Sequence, residues 1–168
     1  AGLKAPSSNH QRRWELVTLT EKAVIMELAK FVRPYPCRIQ EAKTPQQEMF
    51  KIAYPRQRSM IEESACVILP YFKQKYTFDN DKNGYGLMDY GAAWALIENM
   101  LLAATAEGVG SVVHIPVKKE PEQIKAFMKI PDGYYLPAMV ILGYPAKDAL
   151  LPSQVKATVE NKVRWNRW

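Results

Sequence analysis

Two cysteines and two histidines in 168 residues, no long apolar run and no block of like charge are the scarcities of this sequence. Each removes a class of function. Cys37 and Cys66 are too few for a disulfide framework, and Cys66 lies within the apolar run at 65–69, where it reads as a small buried hydrophobe. A reducing cytoplasm fits that usage. His10 and His114 are each far in sequence from any Cys or Asp, and neither sits in a metal-ligand spacing, so no nucleophile and base pair stands out. Hydrolytic and zinc mechanisms are therefore disfavoured. No window approaches the roughly 18 consecutive apolar residues of a membrane span, and the N-terminus has no basic-then-apolar signal pattern. The chain is expected to be soluble and unsecreted, with no membrane partner. Its formal charge of +6 is scattered, with no basic run longer than Arg12-Arg13 or Lys118-Lys119. That argues against a nucleic-acid surface, while a positive field would draw in phosphorylated cofactors.

At 48% hydrophobic, the chain can bury one core, and its length calls for a single domain over 1–168. Residues 1–4 read as the last turn of a helix. The loop from Ala5 to Trp14 combines Pro6, two short hydroxyls, an amide and a guanidinium, which suits either an anion-binding loop or a plain turn. A strand is expected at 14–19. Thr20 then caps a helix through Val32, with Val24, Ile25, Leu28, Phe31 and Val32 on one face and Glu21 at its positive end. Thr44-Pro45-Gln46-Gln47 is a capping-box start for a helix to about Ala53. A short helical piece through Arg58, Met60 and Ile61 leads into a buried strand at 65–72, whose far end Pro70 weakens.

A polar loop is expected at 76–86 and a helix at 87–106 that is apolar almost all round, interrupted between Gly91 and Ala104 only by Glu98 and Asn99. Such a helix needs cover on every side, so a subunit interface is its natural use. Gly108 suits its C-cap, and Glu107-Gly108-Val109-Gly110-Ser111 reads as a helix stop, being in the reverse order for a dinucleotide fingerprint. A strand at 111–117 turns at Ile115-Pro116, and Pro121 opens a short helix with Ile124, Phe127 and Met128 inward. After the turn at 131–133 comes a strand at 136–143. The 145–168 tail ends Trp165-Asn166-Arg167-Trp168 and is expected to pack on a partner subunit.

Pro6-Ser7-Ser8, the helix from Asp89 to Ala104, Glu107 to Ser111, Ile130 to Gly133 and Leu142-Gly143-Tyr144-Pro145 fall in the order and spacing of the nitroreductase family. The chain resembles a flavin-dependent member over nearly its whole length. The resemblance implies an α+β fold, a mixed, mainly antiparallel sheet flanked by helices, whose domain is completed by a dimer partner. It implies a homodimer with FMN held between subunits. Pro6, Ser7 and Ser8 would then lie against the flavin of the second subunit. Many members carry asparagine, glutamine and proline where this chain has His10, Arg12 and Arg13. A subgroup reading Asn-His-x-Arg-x-Trp is similar, so Asn9, His10 and Arg12 would reshape the pocket, although Arg12 also suits a surface ion pair. Ile115, Pro116 and Val117 would cover the redox edge of the flavin, and the Arg56-Gln57-Arg58-Ser59 stretch, through Gln57 and Arg58, its pyrimidine or ribityl side. Lys156, placed by its spacing from Trp165, would meet the phosphate or remain a solvated lysine. The family opens with an Arg-Arg-Ser-x-Arg segment that grips the FMN phosphate and ribityl chain; this sequence starts after it. It is therefore expected to be a fragment or a weak flavin binder.

The implied activity is transfer of hydride from NADH or NADPH to a nitroaromatic, quinone or similar acceptor in a ping-pong cycle. Scarce acid–base machinery suits chemistry that belongs to a cofactor. The rival is a non-catalytic dimeric scaffold with weak or no flavin binding.

Overall fold

The computed structural model describes residues 1–74, 84–149 and 153–168. A five-stranded sheet forms its centre: β1 (Trp14–Leu19), β2 (Cys66–Lys73), β5 (Met139–Gly143) and β3 (Gly110–His114) lie side by side in that order, and the short β4 (Tyr134–Tyr135) pairs with the end of β2. Every one of these pairings is antiparallel. Because side chains alternate along a strand, each strand supplies both faces. Val17, Leu19, Val67, Leu69, Tyr71, Met139 and Ile141 point to one side, where α1 (Lys22–Ala29), α3 (Gln57–Glu63) and α5 (Glu120–Phe127) bring Ile25, Leu28, Ile61 and Ile124. Trp14, Leu16, Ile68, Phe72, Val140 and Leu142 point to the other, which α4 (Tyr85–Ala106) covers with Ala93, Leu96 and Ile97. This is an α+β fold with helices on both faces of an antiparallel sheet. Two helices lie outside these layers, α2 (Pro45–Ala53) and α6 (Val159–Lys162). Among the described residues no helix is long and apolar enough to cross a membrane.

Local chemistry accounts for most element ends. Thr44 accepts the N–H of Gln47 at 3.2 Å, and Gln47 Oε1 accepts the N–H of Lys43 at 2.7 Å, so the reciprocal bond lands one residue ahead of the cap. The end of α4 is a Schellman motif: Gly108 N–H donates to Thr105 O, Val109 N–H to Ala104 O, and Gly108 sits at φ +70. Nothing lies within 4 Å of a Cβ added at Gly108. Gly108→Ala is therefore expected to cost about 1 kcal/mol through the left-handed backbone alone, read as a lower urea midpoint with unchanged slope.

Several expectations change. Thr20 does not cap α1; Glu21 is the N-cap and makes no side-chain cap bond, while Lys30, Phe31 and Val32 extend the helix by bonds to residues three back. The turn at 1–4 is a 3-10 turn over Gly2–Lys4. Pro70, expected to weaken the far end of β2, stays within the strand, which runs on to Lys73. Lys73 N–H donates to Arg13 O, so alternate residues of β2 donate toward β1 and the nitrogen of Pro70 faces the other way. There the pairings of β2 stop at Ile68 and resume at Phe72, and no ladder bond is lost. The third strand ends at His114, so Ile115, Pro116 and Val117 leave the sheet. The strand expected at 136–143 begins only at Met139 as β5, and an unexpected short strand, β4, precedes it, with buried Leu136, Pro137 and Ala138 between the two. Helix α4 begins at Tyr85, and the loop expected at 76–86 otherwise lies outside the described residues. Cys66 is half-buried rather than buried, although burial still pushes its thiol up.

Within one chain α4 is covered along one stripe only. Leu87, Met88 and Leu102 stand 63%, 51% and 61% exposed, and Trp165 and Trp168 of the tail are 78% and 101% exposed.

Candidate functional site

The sequence candidates gather into two groups. The first is the loop between the opening turn and β1. Ser7 Oγ accepts the N–H of Arg12 at 3.0 Å, closing the loop, and Asn9, His10 and Arg12 adopt φ of 49, 57 and 49. Three non-glycine residues in left-handed backbone within a short loop are strained, and such strain clusters at ligand clamps. Ser7, Ser8 and Arg12 line a small cleft with Trp14, Phe72 and Ala92, so the loop opens on the α4 side of the sheet. Ser8 Oγ has only the Met88 thioether at 3.7 Å as a partner, and Arg12 lies 3.4 Å from His10 Nε2 without a carboxylate partner among the described residues. Among the described residues Arg12 forms no ion pair; Arg13 is the residue that meets Asp89, at 3.9 Å. Pro6 is exposed beside these residues.

The second group lies on the opposite face. His114 is 1% exposed and faces the α1, α3 and α5 side of the sheet. Its Nε2 is 3.0 Å from Glu120 Oε2 and its Nδ1 is 2.7 Å from Gln57 Oε1, while Gln57 Nε2 donates to Ala53 O. A neutral imidazole has one N–H, and a carboxylate is the stronger claimant for it. Glu120, 2% exposed, also accepts the N–H of Arg33 and of Val117, both at 3.0 Å, and the hydroxyl of Tyr35 at 3.1 Å. Val117 is therefore anchored through its backbone, leaving Ile115 half exposed where the chain departs from the sheet. In sequence His114 has no Cys or Asp neighbour, and no partner for it stands out; in the fold it meets the buried carboxylate of Glu120. Arg58 is taken up by Glu62 at 2.9 Å along α3. Lys156 belongs to neither group; it is exposed before α6, joined to none of these residues by a hydrogen bond or ion pair among the described residues.

Sequence reading missed Glu120, Tyr35 and Arg33. The run His114-Ile115-Pro116-Val117-Lys118-Lys119-Glu120 holds the one available signal, a histidine and a glutamate on either side of a proline turn. Glu120 otherwise resembles any acidic residue in the first turn of a helix.

The network has a defined response to acid. Burial lowers the pKa of His114 below 6.5, with Glu120 pulling it partly back. Burial pushes Glu120 up, but the N–H groups of Arg33 and Val117 and the ring of His114 outweigh it and hold the carboxyl below 4.5. Both depressed values mean that the unfolded chain binds more protons, so stability is present above the unfolded pKa and lost as pH falls. Urea midpoints are expected to decline first below about pH 6.5 and again below about pH 4.5. A midpoint that stays flat between roughly pH 7 and 5 would remove the buried neutral histidine as a contributor.

The chain matches the nitroreductase family over residues 1–144. It belongs to that family. A curated relative, the NADH dehydrogenase of Thermus thermophilus, is 35% identical over 75 residues, which span 45% of this chain and 35% of that relative. The matched stretch is thus about a third of the relative's length. Among solved structures, an iodotyrosine deiodinase bound to FMN and 3-iodo-L-tyrosine superposes with a TM-score of 0.73 at 15% identity, covering 99% of this chain and 83% of that one. A BluB-like flavoprotein from Clostridium difficile 630 gives 0.69 at 21% identity over 99% and 85% of the two chains. A nitroreductase with bound FMN from Bacteroides fragilis NCTC 9343 gives 0.63 at 18%, over 93% and 78%. At these identities the likeness establishes the fold.

Proposed function

We propose that the protein is an FMN-dependent oxidoreductase of the cytoplasm, working as a homodimer, that passes electrons from NADH or NADPH to a nitroaromatic, quinone or similar acceptor in a ping-pong cycle. The observation that carries this reading is the placement of the two candidate groups on opposite faces of one sheet. A single chain cannot close both on one flat ring, whereas two chains can, one giving Pro6, Ser7, Ser8, His10 and Arg12 and the other Gln57, Arg58, Ile115, Pro116 and Val117. The uncovered side of α4 and the Trp165 to Trp168 tail supply the apolar surface such a pairing would bury.

The donor set fits the cofactor. Among the described residues Ser8 has a hydroxyl without a strong partner, Arg12 a guanidinium without a carboxylate, and Lys156 an exposed ammonium suited to a phosphate. When bound, flavin supplies the hydride acceptor and donor. The residues of this chain then bind and orient: the strained loop presents Ser8 and Arg12, Ser7 holds that loop shut, and Glu120 fixes the backbone of Val117 beside the half-exposed Ile115. In this reading Gln57 donates to Ala53 O, lies beside His114, and meets the ring through what remains of its amide.

The test is the purified protein. A yellow preparation with flavin absorbance and a sedimenting species of twice the chain mass is expected. A colourless protein that takes up no added FMN, or a stable folded monomer at about micromolar concentration, would overturn it.

A further inference from the structure

We propose that the cleft between the Arg33-to-Ile39 segment and α2 binds a small aromatic carboxylate, and that this cleft selects the electron acceptor. Binding stands on the structure of the cleft; selection of the acceptor rests on the flavin reading above.

The cleft has a volume of about 370 Å³ and is lined by Arg33, Tyr35, Cys37, Arg38, Phe50 and Tyr54, with Ile39 and Pro36 at its side. That is near the lower end for ligand pockets, enough for a substituted single ring and too small for a dinucleotide. Tyr54 packs on Tyr35 with ring centres 5.1 Å apart and on Phe50 at 5.4 Å, forming an aromatic wall. The charge beside that wall is unbalanced. Arg13, Arg56 and Arg58 each have an acidic partner, whereas neither Arg33 nor Arg38 has one among the described residues. Arg33 lies over the Tyr35 ring at 4.4 Å, and its Nε is buried with no acceptor. A buried donor left unpaired is costly and uncommon, and a guanidinium pairs best with a planar carboxylate. Glu120 does not fill this role: it accepts the backbone N–H of Arg33 and forms no ion pair with the guanidinium, whose side-chain hydrogen bond is with the neutral Tyr35 hydroxyl. Two guanidiniums without counter-ions beside three rings therefore call for a ligand that is aromatic at one end and a carboxylate at the other.

The cleft also adjoins the proposed redox edge. Tyr35 forms its wall and donates its hydroxyl to Glu120, and Glu120 accepts the N–H of Val117. One carboxylate thus links the cleft wall to the backbone after Ile115 and Pro116.

Calorimetric titration of the full chain with benzoate, benzamide, inorganic phosphate and FMN separates the sources of binding. Benzoate is expected to bind once per chain, about tenfold or more tighter than benzamide and tighter than phosphate, and to lose about tenfold in Arg38→Gln. Arg33→Lys, which keeps the charge but removes the planar fork, is expected to weaken benzoate similarly. Equal binding of benzamide, phosphate as tight as benzoate, or displacement of benzoate by FMN would overturn the proposal, the last because the cleft would then belong to the cofactor. The activity arm compares NADH-driven reduction of nitrobenzoate and nitrobenzene. Each nitro group takes two electrons and one proton from NADH and one proton from solvent, and leaves as nitroso plus water. The KM of nitrobenzoate relative to nitrobenzene is expected to rise about tenfold in Arg38→Gln. Reduction of nitrobenzene without benzoate binding would sink the cleft alone; benzoate binding with reduction of neither acceptor would sink the flavin reading alone.

Discussion

Glu120→Ala is expected to lower unfolding stability by about 3–5 kcal/mol, the range for removing one partner from a buried charged network. Four donors converge on this carboxylate: the backbone N–H groups of Arg33 and Val117, the Tyr35 hydroxyl and the His114 ring. Alanine leaves all four in a site that water does not reach, since Glu120 and His114 are 2% and 1% exposed. Each unpaired donor costs on the order of 1–3 kcal/mol, although relaxation shares the loss among them. The three segments held together are the end of α1, the turn after β3 and the start of α5, so the damage is global rather than local. Urea unfolding at fixed protein concentration measures it. A loss below about 1 kcal/mol would mean that the carboxylate is not the joint described here.

The double substitution Ser7→Ala with Ser8→Ala is expected to weaken FMN by about ten- to a hundredfold while leaving the core intact. The two serines act differently. Ser7 Oγ accepts the Arg12 N–H and so keeps Asn9, His10 and Arg12 in their left-handed backbone, whereas Ser8 offers a hydroxyl with only a sulfur for company. Losing Ser7 releases the loop; losing Ser8 removes a contact. Both are half-buried at the margin of the sheet, so a near-normal urea midpoint should accompany the weaker flavin. Fluorescence titration with FMN decides: unchanged affinity in the double variant would take this loop out of the site.

Much of this protein was legible residue by residue. The strands at 14–19 and 65–72 were legible as strands, and the residues after α4 spell its Schellman stop. Thr44-Pro45 announces α2. The apolar face of α4 was legible too, but not how much of it one chain covers: only Gly86, Ala93, Leu96 and Ile97 are buried. Pro70 was legible as a weak point of β2, but not that the pairing with β1 runs through it, because a proline's effect on a strand depends on which neighbour its nitrogen faces, and that is a property of the sheet.

What the sequence by itself determined about this protein is therefore local: helix starts and stops, strand positions, the hydroxyl-rich loop and the family spacing of Pro6, Ser7 and Ser8. Only the tertiary structure decided the joint of Glu120 with His114, Tyr35, Arg33 and Val117, and the two arginines that have no acidic partner among the described residues beside Tyr35 and Tyr54. Tyr35 and Glu120 are 85 residues apart in the chain. No periodicity or cap links residues at that distance. They meet because α1, with the segment after it, and α5 pack on the same face of the sheet that contains β3, where a buried carboxylate stays charged only if donors from several segments reach it together.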